Sequence, residues 1–328
     1  MTSPHPGTPP RPRGFGRIKA SLAYRSSGIW RAVADFWPIR PIAAKPALDL
    51  DFLTFGGTAH LGMIRETLHS LARTWPALPR VTVATDGSLS PRAAAEALSW
   101  WPEPAPRVVD WQDLVEPLRT DGRHVNLLRF AERDAMGRKM ASAAALALGG
   151  DVLYADVDVL WLGIPSSLAG FRLGEGPRLA MSTDILPGYD PALVPATLPE
   201  LASPPHFCAG FLYARGDFLS AAEIGDLMAF AAERGIGLTE QTILAEADRR
   251  LGAERFPLSE VALFEGDRYT LGPSIRGATW AARHYVGPEL RVEMSRSGCE
   301  RLCRRWEGSA MLAYSSLPCA RFAAFRAR

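Results

Sequence analysis

From Leu48 to Ala155 the chain alternates short apolar runs with amphipathic stretches, and this alternation narrows the choice of fold more than any other feature of the sequence. Leu48 to Phe55 reads as a strand that stops at Gly56-Gly57. Thr58 can cap a helix whose apolar face is Leu61, Ile64, Leu68, Leu71 and Trp75. Val81 to Thr85 is a second strand, stopped by Asp86-Gly87. Ser90-Pro91 is a cap followed by proline, opening a helix to about Trp100. Arg107 to Trp111 is a third strand, and residues 130 to 148 form an Ala-rich helix ended by Gly149-Gly150. A fourth strand begins at Val152. Strand alternating with helix predicts an α/β fold with a mixed, mostly parallel sheet flanked by helices.

Beyond Trp161 the pattern loosens. Arg178 to Thr183 and Phe207 to Arg215 read as strands, and 217 to 234 and 239 to 251 as helices. The proline-rich stretch 186 to 206, which includes Gly188, reads as a long loop of the kind that often carries function.

The fourth strand runs VLYADVDVLW from Val152 to Trp161. Asp156 and Asp158 interrupt an otherwise apolar run. Burying them unpaired would cost on the order of several kcal/mol each. Either the strand ends at Ala155 and the acids turn the chain, or the strand delivers both carboxylates to a site at its C-terminal edge. Open parallel sheets bind ligands at that edge. If the chain stays extended, the i, i+2 spacing points both acids to one side. Two carboxylates there suit a hard divalent cation that keeps positions free for phosphates.

GGDVLYADVDVLWL resembles the metal-binding region of nucleotide-sugar glycosyltransferases of the GT-A (Rossmann-like) fold. ARHYVGPELR resembles the His-Tyr-x-Gly-Pro segment of glycosyltransferase family 8, FCAGFLYAR its Asn-Ala-Gly strand and LTEQTILAEA its Asp-Gln helix start. The related nucleotide-diphospho-sugar transferases share a DVDVLW-like motif. The resemblance implies that Asp156 contacts the ribose and the metal, and that Asp158 and His284 complete a Mn2+ or Mg2+ site. It places Lys139 near the sugar or diphosphate and the Gln241 amide at the anomeric carbon, so that Gln241 and Asp156 are the catalytic candidates. Phe55, Gly56 and Gly57 would hold base and ribose. Cys208, Ala209, Gly210, Glu240, Gly287 and Arg291 complete the substrate-binding set. Cys208 stands where the family has Asn, Glu240 where it has Asp, and Leu290 where it has a phosphate-binding Lys, with Arg291 the nearest substitute. The implied reaction moves a hexose from a UDP-sugar to an acceptor with retention. A non-catalytic nucleotide-sugar-binding relative and a haloacid dehalogenase-type phosphotransferase are the alternatives. Against the latter, lysines occur only at 19, 45 and 139, all upstream of the acids.

Composition enters at the ends of the chain. At 47% hydrophobic and 22% charged, the 328 residues are ordinary for a soluble globular protein. Residues 1 to 48 nevertheless hold eight Lys or Arg against Asp35 alone. Residues 1–46 therefore read as a basic tail, 47–291 as the catalytic domain and 292–328 as a helical extension. Within the tail, Ile18, Leu22, Ile29, Val33 and Phe36 share one helical face over 14 to 37. That face fits an interfacial helix on an anionic membrane, or a helix packed on the body. Pro38, Pro41 and Pro46 read as a linker. No apolar run is long enough to span a bilayer, no signal peptide is visible, and nucleic acid is not expected as a partner. Cys208, Cys299, Cys303 and Cys319 do not make a disulfide framework. A cytoplasmic protein, peripheral at the inner membrane face if the helix binds lipid, is the expectation.

Overall fold

The computed structural model describes residues 39–263 and 278–286. The amphipathic segment 14 to 37, Gly287, Leu290, Arg291, Cys299, Cys303, Cys319 and the extension 292–328 lie outside the described residues.

A seven-stranded sheet runs in the order β3-β2-β1-β4-β7-β6-β8. Its first half is β1 (Ala47–Phe55), β2 (Leu78–Thr85), β3 (Arg107–Asp110) and β4 (Val152–Ala155), all parallel. β7 (His206–Arg215) lies antiparallel between β4 and β6 (Arg178–Asp184), and β8 (Glu254–Phe256) closes the far edge parallel to β6. A small second sheet joins β5 (Val159–Trp161), β10 (Ala282–His284) and β9 (Val261–Ala262).

Period-2 alternation sends neighbouring residues to opposite faces of the large sheet. Leu53, Tyr154 and Leu212 join Phe130 and Ile243 in one buried cluster. Phe52, Leu153, Phe211 and Tyr213 join Ile64, Trp75, Trp161 and Phe256 in the other. Helix α1 (Leu61–Thr74) covers the second face, with Ile64, Leu68 and Leu71 fully buried as its spacing predicts. α2 (Pro91–Ala97) is capped by Ser90, whose hydroxyl accepts from Ala93 N. α3 (Trp111–Leu114) and α4 (Glu116–Asp121) follow β3 directly.

Several local expectations change. The Ala-rich helix is two helices, α5 (Val125–Arg133) and α6 (Ala135–Ala147). Asp134 splits them: its backbone is extended and its carboxylate accepts from Met136 N at 2.7 Å, capping α6. Gly137 permits the tight joint, since a Cβ there would lie 2.7 Å from the Ala131 nitrogen. After α7 (Ser167–Leu173), the helix expected over 217 to 234 divides into α8 (Phe218–Ala221) and α9 (Gly225–Arg234), with Glu223 at φ 51 between them. Thr58 lies in a 3-10 turn, Thr58–His60, rather than capping α1. The proline-bearing link before β1 is strapped to the body. Ile42 N donates to Trp100 O at 3.0 Å and Lys45 Nζ to Trp75 O at 2.5 Å.

Candidate metal and donor site

Strand β4 ends at Ala155, as one of the two readings of the acidic run required. The Asp156 N–H continues the ladder by donating to Gly210 O at 2.8 Å, and the Asp156 carbonyl then accepts from Val159 N at 3.2 Å. The chain therefore does not stay extended through the acids. It turns, and β5 leaves into the small sheet. What gathers the acids is β10, antiparallel to β5 with His284 opposite Val159. The Tyr285 N–H donates to Asp158 O at 2.9 Å and locks that register. From α1, the Thr67 hydroxyl lies 2.6 and 2.9 Å from the carbonyls of Val157 and Val159 and pins the turn from behind.

The result is a triad. His284 Nε2 lies 3.2 Å from Asp158 Oδ1 and 3.8 Å from Asp156 Oδ2. Asp158 and His284 are buried, while the Asp156 side chain keeps 29% exposure, so the mouth of the site is at Asp156. Burial opposes a charge on His284, but Cys208 and Asp158 on either side of the ring raise its pKa well above the ordinary value. A proton on Nε2 thus bridges to Asp158 when no cation does.

These donors fit a divalent ion. An octahedral ion with bonds of about 2.1 Å holds neighbouring ligand atoms about 3 Å apart, and two carboxylate oxygens with one imidazole nitrogen suit a hard to borderline cation. The room is kept by Gly210. A Cβ there would lie 2.1 Å from His284 Cε1 and 2.6 Å from Asp156 Oδ2. β7 is bulged here. The register with β6 jumps from Met181↔Leu212 to Ser182↔Cys208, a distortion common beside functional sites.

Lys139 is not a solvated helix residue. It projects from α6 with 5% exposure, and Nζ lies 3.2 Å from Glu240 Oε1 and 3.4 Å from Asp156 Oδ1. The ammonium also sits over the Tyr154 ring at 5.2 Å, and the Tyr154 hydroxyl donates to Asp156 Oδ1. Burial acts to discharge Lys139, yet Asp156 and Glu240 outweigh it and raise its pKa. Burial also pushes Glu240 up to about 7 despite Lys139. Lys139 is thus held between Asp156 and Glu240, while His284 faces Asp158, so the cluster pairs its carboxylates with cationic or protonatable partners on the buried side and opens at Asp156.

Glu240 and Gln241 open α10 (Gly237–Arg250). Gln241 Nε2 donates to Gly188 O at 2.9 Å, and its Oε1 accepts from Ala209 N at 3.3 Å, an N–H on the bulged part of β7. The amide is thereby held rigidly between the proline-rich loop and the β7 bulge. That loop is anchored by Asp190, whose N–H donates to Thr242 Oγ1 at 2.7 Å and whose carboxylate accepts from Thr239 Oγ1 at 2.5 Å.

The residues after β1 stand next to the acids. A Cβ on Gly56 would lie 3.3 Å from a Val157 methyl carbon. Gly57 faces a turn that sequence reasoning did not single out as functional. A Cβ there would meet Ser88 Oγ at 2.4 Å and Asp86 Oδ1 at 2.6 Å. Thr58 N donates to Ser88 Oγ at 3.0 Å, and Ser88 Oγ to Asp86 Oδ1 at 2.6 Å. The Ser88 hydroxyl holds the Asp86 carboxyl below its ordinary pKa. Phe55 is half-buried at the end of β1 and packs on the core.

No family model matches the chain, and neither does any curated protein. Solved structures do. The bifunctional glycosyltransferase WbbM aligns with a TM-score of 0.51 at 12% identity over 82% of this chain, which spans about half (52%) of the WbbM chain. An active-site mutant of LgtC aligns with a TM-score of 0.50 at 16% identity, over 81% of this chain and 98% of that one. The fold is that of the GT-A glycosyltransferases. In this GT-A fold the triad, Gln241 and the Phe55–Gly57 segment all meet at the C-terminal ends of β1 and β4 and the bulge of β7. Gly287 and Arg291 lie outside the described residues. Among the described residues no helix is long and apolar enough to cross a membrane.

Proposed function

We propose that this chain is a metal-dependent glycosyltransferase that moves a hexose from a UDP-sugar to an acceptor, with retention at the anomeric carbon. The observation that carries the reading is the convergence of Asp156, Asp158 and His284, from two sheets, around a space that only a glycine at 210 leaves open. A bound Mn2+ or Mg2+ would act as a Lewis acid on the leaving diphosphate. Asp158 and His284 would hold it from the buried side and Asp156 from the open side. Lys139, fixed by Glu240, keeps the carboxylate of Asp156 turned to the site. Gly57 lets a ribose or base approach backbone beside the Asp86–Ser88 turn. Gln241, clamped at both ends of its amide, presents a fixed dipole to the sugar without reorganising.

The test is a thermal-shift panel of nucleotide sugars with and without Mn2+, followed by a transfer or hydrolysis assay. The expected outcome is stabilisation by UDP-hexoses only with metal, and turnover of the donor that stabilises. Equal stabilisation by donors without metal, and no turnover with it, would make the chain a binding protein.

A further inference from the structure

We propose that Cys208 is the positioning residue of His284, holding its ring in the tautomer that presents Nε2 to the cation. The inference rests on the metal reading above. Cys208 lies on β7 at the start of the bulge, and its sulfur is 3.5 Å from His284 Nδ1. Both residues are 4% exposed, so no bulk water reaches that side of the ring. The Ser182 hydroxyl donates to the Cys208 carbonyl at 3.3 Å, which fixes the backbone that carries the thiol. The carboxylates of Asp156 and Asp158 lie on the Nε2 side, and Asp184 is near enough to interact with the ring electrostatically.

A ligating histidine almost always donates its second ring N–H to a partner, which sets the tautomer and the ring angle. Nε2 can face a cation only in the tautomer whose proton stands on Nδ1, and in that tautomer the sulfur at 3.5 Å can accept from Nδ1–H. A methyl group at this position would leave Nδ1–H buried and unsatisfied. The neutral ring would then favour the proton on Nε2, where Asp158 accepts it and where it blocks the metal. The sulfur is a weaker acceptor than an amide or carboxylate oxygen, so it orients the ring with little increase in its basicity.

The experiment measures Mn2+ affinity of the full chain by calorimetry, without donor, for the wild type, Cys208→Ala and Cys208→Ser. Long-range 1H–15N spectra of the Mg2+-loaded proteins report the His284 tautomer, and thermal melts report folding. Cys208→Ala is expected to weaken Mn2+ binding by about 10- to 100-fold, the usual effect of losing such a partner. It should also shift His284 toward the Nε2–H form. Cys208→Ser, whose hydroxyl can still accept, is expected to restore affinity to within a few-fold and to keep the Nδ1–H form. Unchanged affinity in Cys208→Ala overturns the proposal. So does equal weakening in both variants, which would mark a packing role. A wild type that does not bind Mn2+ at all overturns the metal reading as well, which separates the two failures.

Discussion

Among the described residues, two places gather two aspartates and a histidine tightly enough to ligate one ion: Asp156, Asp158 and His284 in the sheet edge, and Asp121, His124 and Asp217 at the ends of helices. Their inter-ligand distances are alike. His124 Nε2 lies 3.3 Å from Asp217 Oδ1, close to the 3.2 Å between His284 and Asp158. The difference is what else is present. Arg123 already bridges Asp121 at 2.5 Å and Asp217 at 2.7 Å, and its side chain is 57% exposed. In the second group an arginine already stands between the two carboxylates. In the first, Lys139 meets Asp156 and Glu240 from the buried side, His284 faces Asp158, and glycine at 210 leaves space beside them. Proximity of ligand atoms does not distinguish a metal site from an ion pair; an arginine already in place and reserved volume do.

The largest effect should separate the two groups outright. Asp158→Ala removes a buried ligand and is expected to reduce transfer by about 10²- to 10³-fold, since a Lewis acid supplies several kcal/mol at the transition state and each 1.4 kcal/mol is tenfold. The fold should survive, because Thr67 and the β5–β10 pairing hold the turn through backbone carbonyls and strand bonds rather than the Asp158 carboxylate. Donor-turnover assays at low Mn2+ with a parallel melt check this; half the wild-type activity would remove Asp158 from the metal site.

A second comparison sharpens what pairing does for a buried acid. Asp158 faces His284, whereas Asp248 on α10 is fully buried and, among the described residues, neither of its carboxylate oxygens has a hydrogen-bond partner. Burial pushes the Asp248 pKa up to about 8, opposed by Arg255 and assisted by Glu254. A raised carboxyl binds its proton more tightly folded than unfolded, so stability should fall as pH rises from about 4 to about 8. Asp248→Asn takes away that slope. Its melting temperature is expected to exceed wild type by roughly 5 °C at pH 8, with the gap closing toward pH 4. Melts across that range test it, and parallel curves for the two proteins would mean that Asp248 finds a partner.

How much of this was legible from residues alone differs by region for physical reasons. The parallel half announces itself because each strand is local, apolar and stopped by glycine, as at Gly56-Gly57 and Gly149-Gly150. Asp156, Asp158 and His284 were readable because short motifs carry them. The small sheet was not: β5, β9 and β10 are two or three residues long and exist through their pairing, which for β5 and β10 reaches across more than a hundred residues. The i, i+2 geometry of the acids failed for the same reason, since β10 rather than strand continuity gathers them. The resemblance placed Lys139 near the sugar or diphosphate, but its burial against Glu240 was not readable, because the two are remote in sequence. Thr67, Asp190 and the Asp86–Ser88 turn are ordinary polar residues in sequence, and only the folded chain shows what they anchor. The split at Asp134 was visible in principle, as an Asp one residue before a helical run is a cap signal.

The smallest effect belongs to the surface knot. Asp217 caps α8 by accepting from Ser220 N at 3.1 Å, besides meeting Arg123 and His124. Asp217→Ala should cost about 1 kcal/mol through loss of the cap. The bond to the exposed Arg123 adds little, because solvent screens such pairs. For a domain of this size the melting temperature should drop by about 2 to 4 °C. Mn2+ affinity and donor turnover should not change, since the proposed ion site is at Asp156, Asp158 and His284 and Arg123 already stands between the carboxylates at this place. Calorimetric titration of Mn2+ into the variant decides the matter. If Asp217→Ala lost a Mn2+ equivalent that Asp158→Ala retained, the ranking of the two groups would be reversed, and a built-in arginine would no longer count as evidence against a metal.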